Sequence, residues 1–152
     1  MGTAQPGGVP EPLTEEQQLE RRRMMPSLFM ATPYLATLGL VVERYEPDDV
    51  TLRLPFRHDL TNDGRTYHGG VVATLLDTTG GLAAWSNHDF DGGVRAATLT
   101  LAVQYLASAA GADLWCLGVT ARRVRELSFT EVTATDEGGR VLAQALQTYR
   151  IA

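Results

Sequence analysis

The sequence predicts an α+β domain in which an antiparallel sheet packs around one long buried helix. Three observations carry this. Residues 71–85 are apolar on every side apart from small hydroxyls, glycines and one carboxylate, Asp77, and a helix apolar all round is a buried one. Long strand candidates then follow in series at 94–106, 113–125, 128–135 and 141–151, the last after the turn Asp136-Glu137-Gly138-Gly139. Two shorter candidates, 39–46 and 50–55, flank the turn Pro47-Asp48-Asp49 before the helix. One helix against a run of adjacent strands is most simply a single antiparallel sheet covering it.

In chain order, residues 1–13 are rich in Pro and Gly and read as a flexible tail. Thr14-Glu15-Glu16-Gln17 has the capping-box pattern. It should start a short charged helix to about residue 25, with acids early and Arg21-Arg22-Arg23 late, as the helix dipole favours. The three arginines read as a solvated helix end, with phosphate contact as the alternative. Pro26 should interrupt, and 27–37 should form another short helical stretch. The expected division is a tail and short helix over 1–26 and the folded domain over 27–152. Residues 57–65 form a polar loop into the central helix, and 89–93 a turn rich in Asp and Gly.

With 152 residues the chain is one domain long, enough for a single core. Its 44% hydrophobic and 20% charged residues exclude wholesale disorder. A net charge of −5 without a basic block argues against a nucleic-acid surface. It leaves room for a small anionic ligand, because a local arginine cluster can oppose the global sign. The single Cys116 has no partner for a disulfide or a CxxC metal site and reads as a core residue. No secretory signal and no uninterrupted apolar run of membrane-spanning length is legible, so a cytoplasmic protein without a membrane partner is expected. The sequence carries no G-x-S-x-G, phosphate loop, G-x-G-x-x-G or metal-spaced His/Cys set.

The segment 62–86 concentrates the remaining signal. Asn62 is followed six residues later by His68-Gly69-Gly70, and Asp77 lies nine residues after the histidine. Thr98-Leu99-Thr100 and Gln104-Tyr105-Leu106 come after the helix. In these residues the chain resembles the hotdog-fold acyl-CoA thioesterases of the phenylacetyl-CoA thioesterase-like branch, from about residue 38 to 151. The resemblance implies a sheet curled around the helix, hydrolysis of acyl-CoA to free acid and CoA, and no metal or organic cofactor. It also implies a homodimer that pairs into a dimer of dimers. The sequence departs from common family versions at Thr100 and Ala102, where Asp or Asn is frequent, and at Ser108, where Pro is frequent.

A thioester hydrolase needs a donor for the developing oxyanion and a base or carboxylate nucleophile. Gly69 and Gly70 stand where the helix should begin, where backbone N–H groups lack partners and glycine admits a ligand. The Gly69 N–H is the candidate donor, Asp77 the candidate base or nucleophile, and Gly70 and Thr78 candidate substrate contacts. A buried structural acid bonded to Thr74, Thr78 or Thr98 is the alternative for Asp77. His68 is expected to orient the loop or touch the thioester, with direct acid or base action as the alternative. The resemblance implies that Asn62 holds the reacting water or thioester, and an Asn-Asp-Gly turn is the alternative. The resemblance implies that the Thr98 hydroxyl faces the acid, and a plain strand residue is the alternative. His58 and His88, in polar loops, should be solvated.

Eight residues at about 1.5 Å rise separate Gly69 from Asp77 by roughly 12 Å, so one straight helix cannot bring both to one carbonyl. The site should therefore be shared between two chains. Alternation along the fourth strand candidate would place Arg123 and Arg125 on one face, as candidates for the CoA phosphates or as a solvated charged face. The rival readings are a non-catalytic acyl-CoA-binding or regulatory domain on the same fold, and a hydratase or dehydratase.

Overall fold

The computed structural model describes residues 11–152. The tail expected over 1–13 falls mostly outside them. Helix α1 (Glu15–Met30) opens on the expected capping box, Thr14 accepting from the Gln17 N–H while the Gln17 side chain accepts from the Thr14 N–H. It does not stop at Pro26. Proline costs the helix a hydrogen bond, but Met25 and Phe29 on either side of it pack into the core and carry the helix through. The expected second helical stretch is thus the end of α1 plus the short α2 (Pro33–Ala36).

Strands β1 (Val41–Glu46), β2 (Asp49–Leu54), β3 (Ala96–Tyr105), β4 (Leu114–Val124), β5 (Leu127–Thr135) and β6 (Val141–Ile151) lie within a few residues of the sequence expectations. They form one antiparallel sheet in the order β1-β2-β4-β5-β6-β3. Helix α3 (Gly69–Ser86) lies across one face of that sheet. Leu75, Leu76, Leu82 and Ala83 are fully buried, as are Val50, Leu52, Leu54, Cys116 and Ala134 on the sheet. Burial pushes the Cys116 thiol up to about 12, so it is a core group and not a nucleophile. No helix among the described residues is long and apolar enough to cross a membrane.

Two details position the site. The β3–β6 register shifts between Thr98 and Thr100, and a bulge of that kind re-aims a side chain. The two sheet edges also differ. Edge strand β1 carries Glu43, Arg44 and Glu46 and its own register shift, features that discourage further pairing. Edge strand β3 is ten residues long and uncharged, AATLTLAVQY, and most of it is exposed.

Candidate active site

The start of α3 leaves one backbone donor unused. The first four N–H groups of a helix have no partner within it. Here Gly70 N–H donates to His68 Nδ1 at 2.9 Å, and the Val71 and Val72 N–H groups donate to the His68 carbonyl at 2.9 and 3.2 Å. The Gly69 N–H alone has no acceptor among the described residues. Because Nδ1 of His68 accepts, its neutral ring carries the proton on Nε2. His68 is exposed and caps the helix. Gly70, by contrast, has already spent its N–H on that cap.

Beside this helix end the loop is closed by Asp63, whose Oδ1 accepts from the Arg65 and Thr66 N–H groups, and by Gly64 at φ 83°. The turn chemistry therefore belongs to Asp63 and Gly64. The Asn62 side chain is exposed and makes no hydrogen bond among the described residues. Tyr105, the last residue of β3, donates its hydroxyl to the Gly69 carbonyl at 2.8 Å. It helps line a cleft of about 360 Å³ with Tyr67, Gly69, Val72 and Leu142.

Two turns along α3, Asp77 is half-buried and one of its oxygens is held from both sides. Oδ1 accepts from Thr98 Oγ1 and from Gln147 Nε2, each at 2.7 Å. Oδ2 has no partner among the described residues. The hydroxyl partner is thus Thr98, not Thr74 or Thr78. Thr74 donates to the Gly70 carbonyl at 2.9 Å and stands 3.0 Å from the Tyr34 hydroxyl. Thr78 is buried beside the acid without a hydrogen bond to it. Nearby, burial raises the Tyr149 phenol above its ordinary value, the Trp85 N–H lowers it, and the Asp77 charge raises it.

The structure thus puts His68 and Gly69 at the start of α3, with Asn62 in the loop before it, and Asp77 with Thr98 roughly 12 Å further along α3. Gln147, Thr130 and Tyr105 are site neighbours that sequence reading missed. For Gln147 a signal existed: alternation in β6 puts it on the inward face with Ala143, Ala145, Tyr149 and Ile151, and a polar residue there needs a partner.

The arginine pair separates. Arg125 lies beyond β4 in the β4–β5 turn at φ 54°, so the two do not share a strand face. The Arg123 guanidinium pairs with Asp48 and donates to the Ala83 and Ala84 carbonyls, the latter at 2.8 Å. A cation on the last carbonyls of α3 opposes the negative end of the helix dipole. Arg123→Ala should lower stability by about 1–2 kcal/mol, a melting shift of roughly 2–8 °C, with KM unchanged. A raised KM at unchanged melting temperature would return Arg123 to ligand binding.

His88 also departs from expectation. It is half-buried, stacked edge-on with Trp85 and Phe90, and its Nε2 lies 2.9 Å from the Gly93 carbonyl. Burial is the main cause of its lowered pKa. His58 is exposed, its Nδ1 2.7 Å from the Gly64 carbonyl. No three His, Cys, Asp or Glu side chains among the described residues cluster as metal ligands.

The family described as Domain of unknown function (DUF4442) matches residues 21–151. The chain belongs to that family. Its structural neighbours are hotdog proteins of the thioesterase superfamily, and it shares their fold. A thioesterase family protein from Silicibacter pomeroyi is 27% identical at a TM-score of 0.77, covering 89% of this chain and 99% of that one. The Escherichia coli PaaI protein from the phenylacetic acid degradation operon superposes at a TM-score of 0.76 over 88% of this chain and 96% of that one. At 14% identity it speaks for the fold alone. A Halobacterium salinarum protein with a provisional esterase name is 41% identical over 80 residues, 51% of this DUF4442 chain. The matched stretch spans 53% of that relative, about half its length.

Proposed function

We propose that the protein hydrolyses acyl-CoA thioesters to a free acid and CoA, in a site built by two copies of the chain. The observation that carries this reading is the pair of half-sites on one helix. One unpartnered N–H stands at the start of α3, and a carboxylate with one oxygen held and one free stands two turns on. Each half supplies what the other lacks, and helix geometry keeps them apart within one chain. Membership of the thioesterase superfamily supports the reaction class.

In the assembled site the thioester carbonyl oxygen would sit on the Gly69 N–H of one copy, with Asp77 of the other facing the carbonyl carbon. Free Oδ2 then either takes a proton from the attacking water or attacks the carbon itself, giving an anhydride that water opens. Both routes use the same oxygen and put negative charge on the carbonyl oxygen, where the N–H stabilises it. The C–S bond breaks and CoA leaves as the thiol, taking its proton from the carboxyl group or from water. Thr98 holds Asp77. Asn62 and the His68 Nε2–H can donate to water or thioester, while Gly70 and Thr78 line the approach. No metal or organic cofactor takes part in this scheme.

The uncharged, exposed edge of β3 supports assembly, because such an edge invites a second strand, and a two-fold axis there would pair β3 with its copy. Leu117, Val119, Phe129 and Leu146 are exposed on the sheet and suit a second contact, giving a dimer of dimers. On this reading the reaction runs in the cytoplasm. Arg125, whose guanidinium has no partner among the described residues, is proposed for the CoA phosphates.

The direct test is release of free thiol from a panel of acyl-CoAs, and turnover of at least one is expected. Tight binding without turnover would replace this reading by a non-catalytic acyl-CoA-binding domain. Arg125→Ala should raise KM for acyl-CoA about three- to tenfold and leave a short thioester without a nucleotide unaffected. Equal effects on both substrates would remove Arg125 from the site.

A further inference from the structure

We infer that Gln147 is a positioning residue that orients Asp77, and that Thr130 and Gly80 exist in their present form to hold it there. The inference rests on the thioesterase reading of Asp77 and adds how that carboxylate is aimed. Gln147 is 2% exposed on β6. A buried amide needs all its polar atoms matched, and here each is. Nε2 donates to Asp77 Oδ1 at 2.7 Å and to the Asp77 backbone carbonyl at 3.0 Å, and Oε1 accepts from Thr130 Oγ1 at 2.9 Å.

That pattern fixes the amide one way round. The two Asp77 atoms are both acceptors, so only the NH₂ end can face them. Thr130, directly opposite Gln147 on β5, then finds an acceptor in Oε1. Because one NH₂ group grips both the backbone and the side chain of Asp77, it ties the carboxylate to its own helix. With Thr98 on the same oxygen, Oδ1 is held from two directions. Oδ2 is left for the reacting molecule.

Gly80 shows what this arrangement requires of the helix. A Cβ there would overlap Gln147 Oε1 and come within 2.9 Å of Thr130 Oγ1. Glycine inside a helix is destabilising against alanine, yet at this position it opens the space through which Gln147 passes under α3. None of the three residues needs to touch the substrate.

The test compares Gln147→Met, which keeps length without the donors, with Gly80→Ala, which leaves every polar group present but displaces the amide. Each should lower kcat for the best acyl-CoA roughly ten- to a hundredfold, with KM nearly unchanged, as misplacement of a reacting group does. Thr130→Val should lose less and in the same direction, and Thr130→Ser should restore activity. In an Asp77→Asn background, Gln147→Met should cost nothing further, since its effect passes through Asp77.

Undiminished kcat in both Gln147→Met and Gly80→Ala overturns the inference, as does a full additional loss in the Asp77→Asn background. A crystal structure of Gln147→Met separates this failure from that of the thioesterase reading. The Asp77 carboxylate should swing away from its present position on Thr98, whether or not the wild type cleaves acyl-CoA. A carboxylate that stays in place overturns the positioning role by itself.

Discussion

Asp77→Asn is expected to lower kcat for the best acyl-CoA by about a hundredfold or more while acyl-CoA still binds. Removing a general base typically costs two to four orders of magnitude. The amide keeps the size of the carboxylate and can still accept through one oxygen from Thr98, which now donates to Oδ1 at 2.7 Å. Its nitrogen lone pair, however, is delocalised into the carbonyl and neither takes a proton nor attacks, so Oδ2 is replaced by a group that can serve neither route. The melting temperature should change little, because Asp77 is only half-buried. Steady-state release of thiol, paired with calorimetric binding of the acyl-CoA, checks both parts. Near wild-type turnover in Asp77→Asn would remove the residue from the reaction.

Gly69→Pro is expected to have an effect of similar size at the other half-site. Gly69 is the first residue of α3, where proline is favoured because its missing N–H has no helical partner. The residue before it must be extended, and His68 is, at φ −64° and ψ 135°. The nearest neighbours of a Cβ at position 69 are atoms of the Tyr105 side chain, at 3.6 Å, an ordinary contact. The fold should therefore accept the substitution while the proposed oxyanion donor is deleted. Loss of one such donor costs about 10²–10³ in kcat. Gly69→Ala is the control, since it keeps the N–H and should retain most activity. Equal activity of the proline and alanine variants would show that the N–H takes no part.

Much of this was legible in the sequence, for physical reasons that differ from part to part. The apolar run before Ser86 and the alternation from β3 to β6 gave the layers, because burial imposes those periods directly. Asp77 stood out because a carboxylate in an apolar helix needs partners, and Thr98 was among those foreseen. Gln147 was missed because its partner is 70 residues distant, and strand register is not written locally. Pro26 misled because the cost of a proline is local while the packing of Met25 and Phe29 that outweighs it is tertiary. Arg123 misled for a related reason. Its spacing from Arg125 suggested a shared face, but β4 ends at Val124 and the chain turns there. His88 looked solvated among Asn and Asp neighbours, whereas Trp85 and Phe90 fold over it.

The shared site is the central claim, and complementation between the two half-site variants tests it most directly. Asp77→Asn and Gly69→Pro chains, each nearly inactive alone, are mixed under conditions where subunit exchange is verified with a mass-tagged partner. A mixed dimer carries one doubly damaged site and one with both an intact Gly69 N–H and an intact Asp77. Random exchange at equal concentrations makes half of the dimers mixed, with one working site of two in each, so about a quarter of the wild-type activity per chain should return. If exchange is complete, both parents are inactive and no activity reappears, the two groups do not act on one carbonyl across chains. A fully active monomer would contradict the account in the same way.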